Sequence, residues 1–171
     1  MPVRAQCTTR DGWQYSQYVK DAQEKSIVPG AKLVVKELSP TASLVDAQWN
    51  FGQVAAMRAV ELALATAKGH GMGSASVRRC RHVGRLGAYT ERAARAGFAA
   101  LASCSTAGEG HWVAPYGGRQ GRLGTNPISF AAPTGGDPLL LDFSTASLPE
   151  GRVRPGRGGP KPLLRDALEP P

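Results

Sequence analysis

The sequence predicts a mixed α/β fold, and three observations carry that expectation. Apolar residues recur at helical spacing through residues 54–67. Short β-branched and aliphatic runs recur at 31–38, 43–47, 74–80, 98–104, 127–133 and 138–143. Helix-like and strand-like segments alternate along the chain. With 171 residues the chain has the length of one domain, large enough to enclose a core but short for a two-domain enzyme.

The first element is a short helix in QYVKDAQEKSIVPGA, stopped by Pro29 and Gly30. AKLVVKEL and SLVDA, with Ser39 and Pro40 between them, form a hairpin. Asn50 and Gln53 have capping-box spacing. Val54, Met57, Val60, Leu64 and Ala67 then mark one face of the firmest helix, which ends at Lys68 and Gly69. The glycines of GHGMGS read as a flexible connection. SASVRRC is a strand, RLGAYTERAARA a helix ended by Gly97, and FAALASC a second strand. A crossover of that length predicts that these two strands are parallel and joined in the right-handed sense. A glycine-rich loop leads to the strands PISFAAP and PLLLDF. The last 21 residues, 151–171, hold four Gly and five Pro and read as an irregular or disordered tail. The apolar phases place Val54, Met57, Val60, Leu64, Phe98, Leu101, Ile128, Phe130, Leu140 and Leu141 in the core.

Composition narrows the function. No run of about 18 apolar residues exists to span a bilayer, and the first residues, MPVRAQCTTRDGW, lack an apolar leader segment. A cytoplasmic protein without a membrane partner is the expectation. Cys7, Cys80 and Cys104 are an odd set without a C-x-x-C pair, so reduced thiols are expected and no metal site is indicated. The net charge is +8, and residues 77–122 hold eight arginines, no lysine and two acidic residues. Guanidinium groups suit planar anions such as phosphate or carboxylate, although a solvated arginine-rich face would have the same composition.

Three segments offer chemistry. His82 lies between a strand and a helix, where a neutral imidazole can exchange a proton near physiological pH or merely satisfy a backbone carbonyl. The loop around Gly117, Gly118, Gly121 and Gly124 ends in Thr125 and Asn126, and its glycines permit close backbone approach to a ligand. LDFSTAS places Asp142 at a strand end, followed by Ser144, Thr145 and Ser147. Such ends face ligands in many α/β proteins but are also ordinary turns. Neither the G-x-G-x-x-G fingerprint nor a P-loop is present.

Five ordered blocks, QYVKDAQEKSIVPGA, TASLVDAQWNFGQVAAMRAVELA, RHVGRLGAYTERAARAGF, VAPYGGRQGRLGTNPISFAAP and LLLDFSTAS, resemble the malate/L-lactate dehydrogenase family from about Gln17 to about Arg154. The resemblance implies a mixed, largely antiparallel, non-Rossmann sheet with helices and an intimate homodimer. It also implies hydride transfer between NAD or NADP and a small 2-hydroxy or 2-oxo acid. By the resemblance, Leu141, Asp142, Phe143, Ser144, Thr145, Ala146 and Ser147 form the cofactor-binding strand end, with Thr125 and Asn126 beside it. His82 matches the histidine of the Asn-His-x-Gly motif near the nicotinamide. Residues 1–28 then read as a remnant of an N-terminal helical region, 29–150 as a partial cofactor-binding and catalytic domain, and 151–171 as the tail.

The chain also departs from the family pattern. In TTRDGWQYSQYV, Arg10 stands where the proton-transferring histidine of a Ser-His-Gly motif belongs, and Gln14 where a carboxylate-binding arginine belongs. Arg81 replaces the asparagine before His82. The resemblance stops about halfway through a typical member, so the expectation is a fragment with impaired turnover. Two alternatives are a basic nucleic-acid-binding module, argued against by the absence of a binding motif, and a non-catalytic dimer partner.

Overall fold

The computed structural model describes residues 13–105, 111 and 113–146. The elements run α1 (Trp13–Gln23), β1 (Val34–Ser39), β2 (Ala42–Asp46), α2 (Gly52–His70), β3 (Ser74–Arg78), α3 (Gly87–Arg95), β4 (Ala100–Ser103), β5 (Ile128–Ala132) and β6 (Leu139–Phe143). They form two three-stranded sheets, β1-β2-β3 and β4-β5-β6. Pairing is antiparallel for β1–β2, β4–β5 and β5–β6 and parallel for β2–β3. The architecture is thus mixed α/β and largely antiparallel. The 151–171 tail lies outside the described residues.

Both the expected hairpin (β1 and β2) and the last two strands are present. The parallel crossover sits elsewhere than expected: β2 and β3 are the parallel pair, joined through α2. β3 and β4 fall in different sheets, so the segments 74–80 and 98–104 do not pair as parallel strands. Composition gives each strand's existence; its partner depends on which helix covers which sheet. α1 ends at Gln23, six residues before Pro29.

The capping box does not form either. Phe51 occupies the N-cap of α2 without a side-chain cap. Asn50 instead accepts from the Phe51 N–H (2.7 Å) and donates to the Ala31 carbonyl (2.8 Å), while Gln53 reaches Tyr18. At the other end Gly71, with φ +78, makes the left-handed C-cap. Gly73 lies so close to α2 that a Cβ would sit 2.1 Å from the Ala63 carbonyl oxygen. Gly71 and Gly73 of GHGMGS therefore cap and pack the helix and are not merely a flexible connection.

The core differs from the apolar phases of the sequence. α2 turns its small residues, Gly52, Ala55, Ala59 and Ala67, inward. Ala55 and Ala59 pack on Val45 and Ala47, with Leu33, Leu62, Ala75, Val77 and Cys80 around them. Under α3 a second core gathers Leu86, Tyr89, Ala93 and Ala94 with Ala131. None of the ten expected core residues is fully buried. Met57, Val60, Leu64, Phe98, Ile128, Phe130 and Leu140 are half-buried, while Val54 (49%), Leu101 (73%) and Leu141 (52%) are exposed. The physical reason is close approach: an alanine face lets α2 lie against the sheet backbone, which leaves its larger residues at the rim. Register places Leu101, Phe130 and Leu141 across β4-β5-β6, on the face opposite the buried Ser129 and Ala131.

Candidate functional site

The His82 loop begins where β3 ends. Arg79, in a left-handed conformation (φ +52), accepts a hydrogen bond from the Trp49 N–H at 2.6 Å. The first residue of α2, Gly52, lies against the loop, where a Cβ would sit 2.2 Å from the Arg81 carbonyl oxygen and 2.5 Å from that of His82. Only glycine fits there. His82 Nδ1 is 2.8 Å from the Tyr18 hydroxyl, and Gln53 Nε2 donates to the same hydroxyl at 2.6 Å. Arg81 donates to the Ser26 carbonyl at 2.9 Å. Gly84, with φ +76, then turns the chain toward α3.

The other two segments meet directly. The Ser144 hydroxyl donates to the Thr125 carbonyl at 3.0 Å, and the Thr145 hydroxyl lies 3.1 Å from the carbonyls of both Thr125 and Asn126. Thr145 N–H also donates to Thr125 at 3.2 Å. Asp142 accepts from the Gly87 N–H at 2.9 Å, at the N-terminus of α3, where the helix dipole favours a negative charge. Leu141 and Phe143 are exposed and Ala146 is half-buried. Ser147 and Arg10 lie outside the described residues.

The structure thus gathers Thr125, Asn126, Asp142, Ser144 and Thr145 at the end of β6. It holds His82 through a separate set of contacts with α1 and α2. The connection between the two groups is the chain from His82 to Gly87, five residues long, which cannot exceed about 18 Å when extended. Tyr18 and Gln53 escaped sequence reasoning because Gln53 matched a capping position and Tyr18 carried no local signal.

An unsatisfied acceptor lies beside the strand-end cluster. Asn126, with φ +38, carries a buried Oδ1 that accepts no hydrogen bond among the described residues. An N–H donor, of the kind a carboxamide carries, would satisfy such an acceptor. Two shallow hollows occur elsewhere: one of about 340 Å³ beside Arg95, Pro133 and Thr134, and one of about 520 Å³ over Leu33, Val54 and Met57. Neither is lined by His82, Asn126 or Asp142. Among the described residues no group of His, Cys, Asp or Glu could hold a metal ion, and no helix is long and apolar enough to cross a membrane.

Five of the eight arginines that suggested a nucleic-acid interface pair with acidic side chains. Arg78 and Arg79 clamp the buried Asp46. Arg85 and Arg95 bind Glu91, and Arg92 reaches Glu61. Cys80 and Cys104 are free thiols, and burial pushes both above the ordinary thiol range, away from nucleophilic use.

Largely antiparallel sheets and the absence of a glycine fingerprint define the class as a mixed α/β protein outside the doubly wound dinucleotide-binding type. A family model for malate/L-lactate dehydrogenase matches residues 12–163, and the chain belongs to that family. It is 38% identical over 122 residues to hydroxycarboxylate dehydrogenase B of Escherichia coli O157:H7, an alignment that spans 71% of this chain and 33% of that protein. With the L-sulfolactate dehydrogenase of Methanocaldococcus jannaschii it shares 31% identity, over 82% of this chain and 40% of the relative. The structure of malate dehydrogenase from Pyrococcus horikoshii OT3 superposes with a TM-score of 0.77 at 34% identity, covering 83% of this chain and 40% of that one. These matches therefore reach no more than about two fifths of the relatives' length.

Proposed function

We propose that this chain forms part of an NAD- or NADP-dependent dehydrogenase acting on a small 2-hydroxy or 2-oxo acid, with weak or no turnover by itself. The observation that carries the reading is the strand-end cluster, where Thr125 and Asn126 meet Ser144 and Thr145 beside an orphaned buried acceptor. A bound nicotinamide would give a hydride to a 2-oxo acid or take one from a 2-hydroxy acid. Leu141 to Ser147, with Thr125 and Asn126, would line the cofactor, and His82 would face the substrate oxygen. Residues 29–150 are then the partial cofactor and catalytic domain, 1–28 an N-terminal remnant and 151–171 its tail. The working assembly is a cytoplasmic homodimer. The names of the relatives, dehydrogenases of malate, hydroxycarboxylates and sulfolactate, support this substrate class.

Titration with NADH and NADPH, followed by fluorescence, tests the reading. Weak binding is expected, weakened further by Asp142→Ala; equal affinity in that variant would overturn the site. Oxidation of malate or lactate should be at or below detection, because loss of a general acid or base removes about 10²–10⁴ in rate and Arg10 replaces the expected histidine. Turnover at an ordinary dehydrogenase rate would overturn that part.

A further inference from the structure

Of the eight arginines in residues 77–122, the fold engages six. Five pair with acidic side chains, and Arg81 donates to the Ser26 carbonyl. Arg119 and Arg122 are left, and both stand on one tongue of the chain. Val113 and Leu123 close its base through reciprocal backbone bonds of 2.9 and 3.0 Å. Farther out, the Gly118 N–H donates to the Pro115 carbonyl at 2.8 Å, a turn that Gly117 completes with φ +72. A Cβ on Gly118 would sit 2.9 Å from Pro115 Cγ. The backbone of the tongue is therefore fixed, while the side chains it displays are not engaged. Tyr116, inside the turn, is wholly exposed. Arg119 is exposed and has no ion pair among the described residues, and Arg122 bonds to Gln120 at 3.0 Å. No acidic residue occurs from His111 to Gly136 to offset these two charges.

We propose that the tongue of residues 113–123 grips the adenosine phosphate half of a nicotinamide dinucleotide, with Arg119 and Arg122 on its phosphates and Tyr116 against the adenine ring. A free aromatic face and two unneutralised guanidinium groups match a flat base that bears phosphates. A backbone ordered in advance lowers the cost of holding such a ligand. Position supports the assignment. Leu123, at the base, is two residues from Thr125 and so at most about 7 Å from it, and the Thr125 carbonyl is bonded to Ser144 and Thr145. The tongue thus rises from the cluster assigned to the cofactor, and the inference rests on the function proposed above.

The test is NMR of the full chain titrated at low salt with ADP, which carries adenine and phosphates but no nicotinamide. ADP should shift the amide signals of Gly117, Gly118 and Gly121 and bind more tightly than inorganic pyrophosphate. Arg119→Gln and Arg122→Gln should each weaken ADP binding about tenfold, and Tyr116→Ala should abolish the advantage over pyrophosphate. All three side chains are exposed, so the variants should keep the remaining amide pattern. Absence of ADP binding, or binding that leaves the tongue signals unmoved, would overturn the proposal. So would unchanged affinity in either arginine variant, or equal affinity for ADP and pyrophosphate, which would make the tongue a general anion surface. NADH separates the two readings. If ADP engages the tongue but NADH binds no more tightly and leaves the Thr125 and Thr145 signals in place, the tongue stands and the dehydrogenase reading fails.

Discussion

Asp46 ends β2 and is 4% exposed, yet it carries its charge because the surrounding donors outweigh the cost of burial. Arg79 grips both carboxylate oxygens, at 2.8 and 2.7 Å. The Gln48 N–H and Arg78 add bonds of 3.1 and 2.9 Å. Chiefly through Arg79, and against the opposing effect of burial, the carboxyl is held down at about 2. A carboxyl whose folded value lies below its unfolded value of about 3.9 stabilises the fold above that value and loses the effect as pH falls toward the folded one. Urea midpoints of the wild type and Asp46→Asn should therefore differ most above about pH 5 and converge between about pH 4 and 2. A gap independent of pH would show that the clamp is not electrostatic. The basic block was legible as arginine-rich, but its role was not: Asp46 lies more than thirty residues upstream of its arginines, a pairing that only β2–β3 register creates.

At the scale of elements, a buried hydroxyl pair joins α3 to its sheet beside the Gly87–Asp142 bond. Ser129 donates to the Leu141 carbonyl at 2.8 Å, which leaves Thr90 to donate to Ser129 at 2.7 Å. Ser129→Ala removes the bond to Leu141 and leaves Thr90 only the longer 3.4 Å contact to the Gly87 carbonyl, and should cost about 1–3 kcal/mol, whereas Thr90→Val leaves the Ser129 bond to β6 in place and should cost less, about 0.5–1.5 kcal/mol. Chemical denaturation gives the order, and the reverse order would contradict the assigned donors. α2 yields a second contrast. Ala59→Leu forces a large side chain against Val45 and should cost about 1–3 kcal/mol, while Val54→Ser at the exposed rim should change stability by less than about 0.5 kcal/mol. The helical period of α2 was plain in the sequence. Its inward side was not, because hydrophobic spacing ranks Val54 and Met57 above alanine, while close packing on a sheet selects the smaller residue.

At the scale of the whole molecule, each sheet leaves apolar surface open. Val34, Val35 and Leu38 are exposed along β1, as are Leu101, Leu139, Leu141 and Phe143 on the second sheet. Leu101, Leu139, Leu141 and Phe143 share one face of the second sheet, and an exposed apolar patch is the kind of surface that a second chain can cover. The chain should sediment as a dimer or larger species and bind a hydrophobic dye, and a monodisperse monomer without dye binding would contradict this. The sequence by itself determined the element types, the β1–β2 hairpin and, through five ordered blocks, the family, because local propensity and motif order survive without knowledge of contacts. It also singled out Thr125, Asn126 and the 142–145 segment, whose turn chemistry is local. Tertiary structure alone decided which strands pair, which face of α2 is buried, and that Tyr18 meets both Gln53 and His82. Those outcomes depend on groups far apart in the chain, brought together by the close approach that Gly52 and the alanines of α2 permit.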